Sequence, residues 1–253
     1  MKILLAPIAA LGMTACGLMA QTPTMSCDRQ GNNDRQRSCE IRETAITASA
    51  LTVDGHQNGG ISIKGGDRSG ILVRAMVQSE DPSTAAQVIV HTAGGAIQAD
   101  GPAQGNWSVS YEILVPRNTA LTLKTHNGGV AITGVESTVE FHAVNGGISL
   151  NNVGGDVHGD TVNGGISVRL AGARWSGQGL DVTTNNGGVS MKVPGQFSAL
   201  LDVATVNGGM KVSLPNAQIT RGDHHLSLTL GTGGPLLRIR THNGGVSISD
   251  SAT

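Results

Sequence analysis

Aromatic side chains are nearly missing from this chain of 253 residues, which holds two Trp, two Phe and one Tyr. That scarcity excludes an interior filled by large rings and leaves Val, Ile, Leu and Ala to pack a narrow core. Charge is sparse and balanced, with 17 Lys and Arg against 18 Asp and Glu, so no basic surface for nucleic acid is expected. The longest apolar stretch, residues 3–15, is interrupted by Pro7 and Gly12 and is too short for a membrane helix. No C-x-x-C, H-E-x-x-H or G-x-S-x-G occurs, which removes the commonest redox and hydrolase signatures. Gly231-Thr232-Gly233-Gly234 lacks the lysine and the context of a phosphate loop.

Glycine, by contrast, is abundant at 37 residues, and much of it is organised. The triplet Asn-Gly-Gly starts at Asn58, Asn127, Asn145, Asn163, Asn186, Asn207 and Asn243. An apolar, small or polar, apolar sequence follows each copy, as in Ile61-Ser62-Ile63 and Ile166-Ser167-Val168. This is a period-2 strand leaving a corner. Aligning on the Asn extends the pattern backwards. Six residues before stand Leu121, Val139, Val157, Leu180, Leu201 and Leu237; two before stand Thr125, Ala143, Thr161, Thr184, Thr205 and Thr241. The even offsets form one mostly apolar face, expected to turn inward, and offsets five and three before the Asn point out.

Each repeat therefore reads as strand, corner, strand. From Asn127 the successive Asn spacings are 18, 18, 23, 21 and 36 residues, and the last suggests a coil around Leu226, Leu228 and Leu230 that has lost its signature. An all-β parallel β-solenoid is the expected architecture, its coils stacked about 4.8 Å apart. The alternative is a β-sandwich of hairpins, because Asn-Gly also favours a type I′ turn. Equivalent residues at equivalent offsets favour the solenoid. Asn amides should form a ladder from coil to coil, with Asn and the glycines taking left-handed or otherwise Cβ-excluding conformations.

Ahead of the repeats, residues 1–20 read as an export signal with Lys2 and small residues at its end. Two processing routes fit: lipidation of Cys16 in Met13-Thr14-Ala15-Cys16-Gly17, or cleavage after Ala20 to begin the chain at Gln21. Both place the protein outside the cytoplasm, as a periplasmic protein or an outer-membrane-anchored lipoprotein, with any membrane contact through the lipid. Cys27 and Cys39 then remain, and an oxidising compartment makes a disulfide their natural state. Closing that loop would stabilise by about 3 kcal/mol.

The organisation expected is a signal at 1–20, a disulfide-containing segment at 21–43, a β-rich part at 44–118 and the repeats at 119–250. Within the β-rich part, strands are expected at 71–77 and 107–115. The latter sets Trp107, Val109 and Tyr111 on one face and Ser108, Ser110 and Glu112 on the other. Asp81-Pro82-Ser83 opens a short helix, with Asp81 as N-cap and Pro82 at the first helical position, running through Ala85, Ala86 and Ile89.

Cys39-Glu40-Ile41-Arg42-Glu43, Trp107-Ser108-Val109-Ser110-Tyr111 with Val115-Pro116-Arg117, and the recurrent Thr-x-Asn-Gly-Gly resemble a bacterial extracytoplasmic β-strand-repeat family labelled as candidate adhesins, a domain of unknown function. The resemblance covers nearly all of the chain after residue 20. It implies an envelope location and a repetitive β fold, and it brings no catalytic residues.

Chemistry would lie on the outward offsets. Stacking in chain order would set Glu140 beside His158, His142 beside Asp160, and Asp181 beside Asp202. One reading is a solvated face of cross-strand pairs. The sharper one is a stripe of Glu140, His158, Asp160, Asp181 and Asp202 that binds Ca²⁺ or glycan hydroxyls, although the Gly-Gly-x-Gly-x-Asp nonapeptide of calcium-binding solenoids is missing. His126 and His242 are expected to be solvated; His224-His225 could hold a transition metal but, with no second cluster in the sequence, is expected to be loop. No catalytic residue, resident metal or cofactor is expected. The function expected is a non-catalytic cell-envelope protein, adhesin-like or scaffolding. Its partner would be an envelope or surface component, a glycan or a second copy. A carbohydrate-binding or carbohydrate-active β-helix and a self-associating scaffold are the alternatives. In the last, the exposed end of the solenoid, with the C-terminal copy at Asn243, would template strand pairing.

Overall fold

The computed structural model describes residues 25–27, 38–214 and 224–251. The export signal, Cys16 and the alternative start at Gln21 lie outside the described residues. The fold is all-β with one short helix, built from two sheets of ten strands. Each coil contributes one strand before its Asn-Gly-Gly corner to one sheet and one strand after it to the other. The coils run as Ala50–Asp54 with Ile61–Gly66, Ala120–Thr125 with Val130–Thr133, and Glu136–Ala143 with Ile148–Asn151. Gly154–Asn163 with Ile166–Arg169 and Gly179–Asn186 with Val189–Val193 follow, then Ala199–Asn207 with Met210–Ser213 and Leu236–Asn243 with Val246–Asp250.

Equivalent strands pair in parallel with the Asn-based register, as in Val139↔Val157↔Leu180. This is the stacked-coil arrangement and not a set of hairpins. One end of the stack is closed differently. There Ser38–Ile46, Ile71–Ser79 and Trp107–Pro116 continue the post-corner sheet, joined by antiparallel pairing and running parallel only where Trp107–Pro116 meets Ile61–Gly66. Ala96–Asp100 and Ile89–His91 continue the other sheet.

Stacking order departs from chain order at the far end. The Asn243 coil lies between the Asn186 and Asn207 coils in both sheets. His225–Leu230, expected as a coil without its corner, instead pairs antiparallel with Ala199–Asn207 and covers that sheet's edge. The long spacing before Asn243 therefore holds a cap strand and a return, not a lost coil. Among the described residues Met210–Ser213 is the edge of the opposite sheet, with Met210 and Val212 only partly buried.

The inward face is the aliphatic column foreseen at the even offsets, with Leu121, Leu123, Val139, Val157, Val182, Val203 and Ile239 all buried. Phe141 is the one large ring among those offsets. Its register partner in the next coil is Gly159, whose missing Cβ would collide with the ring. A glycine at that offset is thus the space for the phenyl group.

The helix spans Pro82–Gln87, and its Asp81 cap accepts from the Thr84 amide. It stops earlier than expected, at the Val88 cap, and Ile89 begins an exposed edge strand. Arg42 donates to the carbonyls of Val88, the C-cap residue, and of Ala85, which also accepts from the Val88 amide, tying down the helix's C-terminus. Cys27 and Cys39 form a disulfide with Cα atoms 5.8 Å apart.

Candidate binding surface

The corner motif Thr-x-Asn-Gly-Gly is explained by contacts between coils. Each Asn but Asn58 donates its side-chain Nδ2 to the Oδ1 of the Asn in the neighbouring coil. The chain of donors runs Asn207 to Asn243, Asn186, Asn163, Asn145, Asn127 and Asn58, at 2.8–3.2 Å. Two positions earlier, buried threonines do the same for the backbone. Thr184 Oγ1 donates to the Gly164 carbonyl at 2.7 Å, and Thr125, Thr161, Thr205 and Thr241 repeat the bond.

The first glycine of each triplet is required by close approach. A Cβ on Gly128, Gly146, Gly164 or Gly187 would strike the carbonyl oxygen of the equivalent glycine one coil away. Left-handed backbone, expected for the Asn and allowed for the glycines, is not the cause: neither the Asn residues nor the triplet glycines have positive φ. Crowding between stacked backbones is what excludes a side chain.

This scaffold sets the outward rows of the pre-corner sheet. One row reads Thr122, Glu140, His158, Asp181, Arg238, Asp202, and the next Lys124, His142, Asp160, Thr183, Arg240, Ala204. His142 meets Asp160 at 2.8 Å, as the register required. Glu140 and His158 are neighbours, yet the imidazole turns to Asp156 on its own strand at 2.7 Å. Asp181 and Asp202 are not adjacent. Arg238, carried in by the inserted coil, lies between them and pairs with Asp181 at 3.2 Å and Asp202 at 3.5 Å.

Hydrogen bonding to Asp181 first, then attraction to both carboxylates, raises the Arg238 guanidinium further above its ordinary value. His225 adds a contact to Asp202 at 2.8 Å, and Arg240 one to Asp181 at 3.5 Å. The expected acidic stripe is therefore an alternation of signs. Where a cation between two carboxylates was conceivable, a guanidinium already stands. Among the described residues, no group of three or more His, Cys, Asp or Glu converges as a metal-ligand set. His126 and His242 are exposed at their corners.

The post-corner sheet presents a second regular face, with Ser62, Ala131, Ser149, Ser167, Ser190, Ser247 and Lys211 in one row. Glu112 continues that row on Trp107–Pro116. Outward by alternation, it is nonetheless only 2 % exposed, because Lys64 at 2.7 Å and Arg74 at 2.9 Å close over it. Arg74, bonded first to Glu43 and then to Glu112, is likewise raised. Alternation located this carboxylate; its covering came from side chains on two other strands and had no local signal.

A family model described as Toastrack DUF4097 matches residues 30–249. A candidate cell adhesion protein from Clostridium sporogenes is 11% identical, with 85% of this chain and 100% of that one aligned and a TM-score of 0.45. A candidate adhesin from Bacteroides fragilis is 11% identical over 83% and 97% of the two chains, with a TM-score of 0.38. A candidate lipid binding protein from Parabacteroides distasonis is 12% identical over 83% and 96%, with a TM-score of 0.34. No curated protein matches the chain.

Proposed function

From the premise that this chain belongs to the Toastrack DUF4097 family, we propose that it is a non-catalytic cell-envelope protein, adhesin-like or scaffolding. It binds by distributed contact along a rigid polar face. The observation that carries this is the unbroken column of Asn amides through seven coils, which fixes the outward rows of both sheets at a constant spacing. A surface held that way presents repeating polar groups without a pocket. The sign alternation through Asp181, Arg238 and Asp202 suits a neutral or zwitterionic partner more than a polyanion.

Export by residues 1–20, with lipidation at Cys16 or release at Gln21, would deliver it to the envelope, and the Cys27–Cys39 disulfide supports an oxidising compartment. Among the described residues no helix is long and apolar enough to cross a membrane.

The test is binding of the purified protein to isolated envelope fractions, namely outer-membrane vesicles, peptidoglycan and capsular polysaccharide. Saturable retention on one fraction, weakened by Arg238→Glu with Arg240→Glu and accompanied by no new reducing ends, is the expected result. Release of sugar products would overturn the non-catalytic reading.

Self-association is a second reading, favoured by one observation: Met210–Ser213 is an edge strand with partly buried Met210 and Val212. The end involved is that of the Asn207 coil, not the Asn243 coil. Sedimentation at increasing concentration would show an oligomer that Val212→Lys abolishes; a strict monomer would exclude it.

A further inference from the structure

Asn58 is the terminal rung of the amide column. Its Oδ1 accepts from Asn127 at 3.2 Å, while among the described residues its own Nδ2 has no acceptor. That unused donor borders a cleft of about 270 Å³, lined also by Gln78, Ser79, Glu80, Asn106, Trp107 and Ser108. The walls are tied together before any ligand arrives. Gln78 and Ser108 are antiparallel register partners, and the Glu80 amide donates to the Asn106 carbonyl at 3.3 Å. Trp107 is held by its Nε1 donating to Pro102 at 3.0 Å and by stacking on His56, with ring centroids 5.3 Å apart.

The chemistry of this lining is specific. Three carboxamides offer paired donors and acceptors, two serine hydroxyls offer both, and one carboxylate accepts. A sugar hydroxyl both donates and accepts, so amides and carboxylates suit it, and the Trp107 indole, itself stacked on His56, adds an apolar side to the cleft. Among the described residues no lysine or arginine lines the cleft, and against these a uronate or phosphate would meet Glu80 without compensation. A cleft of about 270 Å³ has room for one pyranose ring. We infer that this cleft binds a single uncharged pyranose residue of a glycan. The inference rests on the reading of the protein as a non-catalytic binder, and it adds a defined subsite at one end of the stack.

Trp107 supplies the readout. Trp175 is the other tryptophan, buried and bonded to the Gly155 carbonyl, so Trp175→Phe leaves the cleft indole alone to report. Glucose, galactose, mannose, N-acetylglucosamine and glucuronate would be titrated into that variant. Amide NMR spectra of the unaltered protein would provide a measurement independent of the substitution. The expected result is saturable change with at least one neutral sugar at millimolar concentration, with shifts confined to the strands around Gln78 and Trp107. Gln78→Ala or Asn106→Ala should weaken it about tenfold, the worth of one hydrogen bond. Glucuronate binding as tightly as the neutral sugars would overturn the assignment of charge. The absence of saturation with all five would overturn the cleft as a sugar site while leaving the outer-face reading standing. Cleavage of an oligosaccharide carrying the same sugar would instead defeat the non-catalytic reading.

Discussion

Asn207 donates its side-chain amide to Asn243 at 2.9 Å, although 36 residues separate them and Asn186 is nearer in sequence. The final corner of the chain is therefore wedged between two corners that precede it. Coils that carry the same motif are interchangeable as neighbours, and the Asn207 coil would fit directly on the Asn186 coil if the last one were missing.

Deleting residues 236–253 should produce that closure. In the full chain Thr183 and Ala204 flank Arg240 on either side, so their Cα atoms lie about two strand spacings, or ~10 Å, apart. A disulfide spans at most about 7 Å. Thr183→Cys with Ala204→Cys should stay reduced in the full chain and cross-link in the truncated one. Equal oxidation of both, seen by mass spectrometry, would mean that the neighbours had been assigned wrongly.

Substituting the first glycine of a corner should be far worse than substituting the second in the end coil. A Cβ on Gly146 meets the backbone of Gly128, which no rotamer change can relieve, whereas one on Gly209 meets nothing within 4 Å. Gly146→Ala is expected to cost more than about 3 kcal/mol or prevent folding, and Gly209→Ala less than about 1 kcal/mol. Urea denaturation of both measures the difference, and similar midpoints would contradict backbone crowding as the cause.

Removing the threonine hydroxyl at a buried corner leaves a carbonyl without its donor. Thr184→Val should destabilise by about 1–3 kcal/mol through loss of the bond to Gly164. Ala143 occupies the equivalent position in its coil and lies in register with Thr125 and Thr161. Ala143→Thr should supply the missing bond to Gly128 and add about 1 kcal/mol. A destabilised Ala143→Thr protein would show that packing there outweighs the bond.

Asp81 should make the helix cap acid-sensitive. Hydrogen bonds from the Ser83 hydroxyl, then from the Thr84 amide and hydroxyl, lower its carboxyl to about 2. A depressed carboxyl contributes fully above its unfolded value near 4 and loses that contribution as pH falls towards 2. The Thr84 amide shift should titrate in that low window, and Asp81→Asn should remove the titration while keeping the cap. A midpoint near 4 would show that the carboxylate is not held.

The repeat units were legible because each obeys local rules: alternation placed Leu121, Val157 and Ile239 in the core, and Asp81-Pro82 placed the helix start. Stacking order was not legible. Seven corners with one motif offer no local preference for a neighbour, so Arg238 between Asp181 and Asp202 could not be read from spacing. Burial of Glu112 and convergence at the Trp107 cleft depend on segments distant in sequence. The requirement for Gly128 and its equivalents was visible as a motif, but its cause emerges only when two coils are superposed at backbone distance.

All the side-chain donors of the column point one way. The Nδ2 of every corner Asn except Asn58, and every corner Thr Oγ1, donates towards the Asn58 end. Such bonds in series carry aligned dipoles, and their sum leaves partial positive character where donors end and partial negative character where acceptors end. The stack thus has electrical polarity along its axis, independent of its nearly zero net charge. Two copies meeting end to end would be drawn head to tail and resisted head to head, so the direction of the bonds would set the sense of any such assembly.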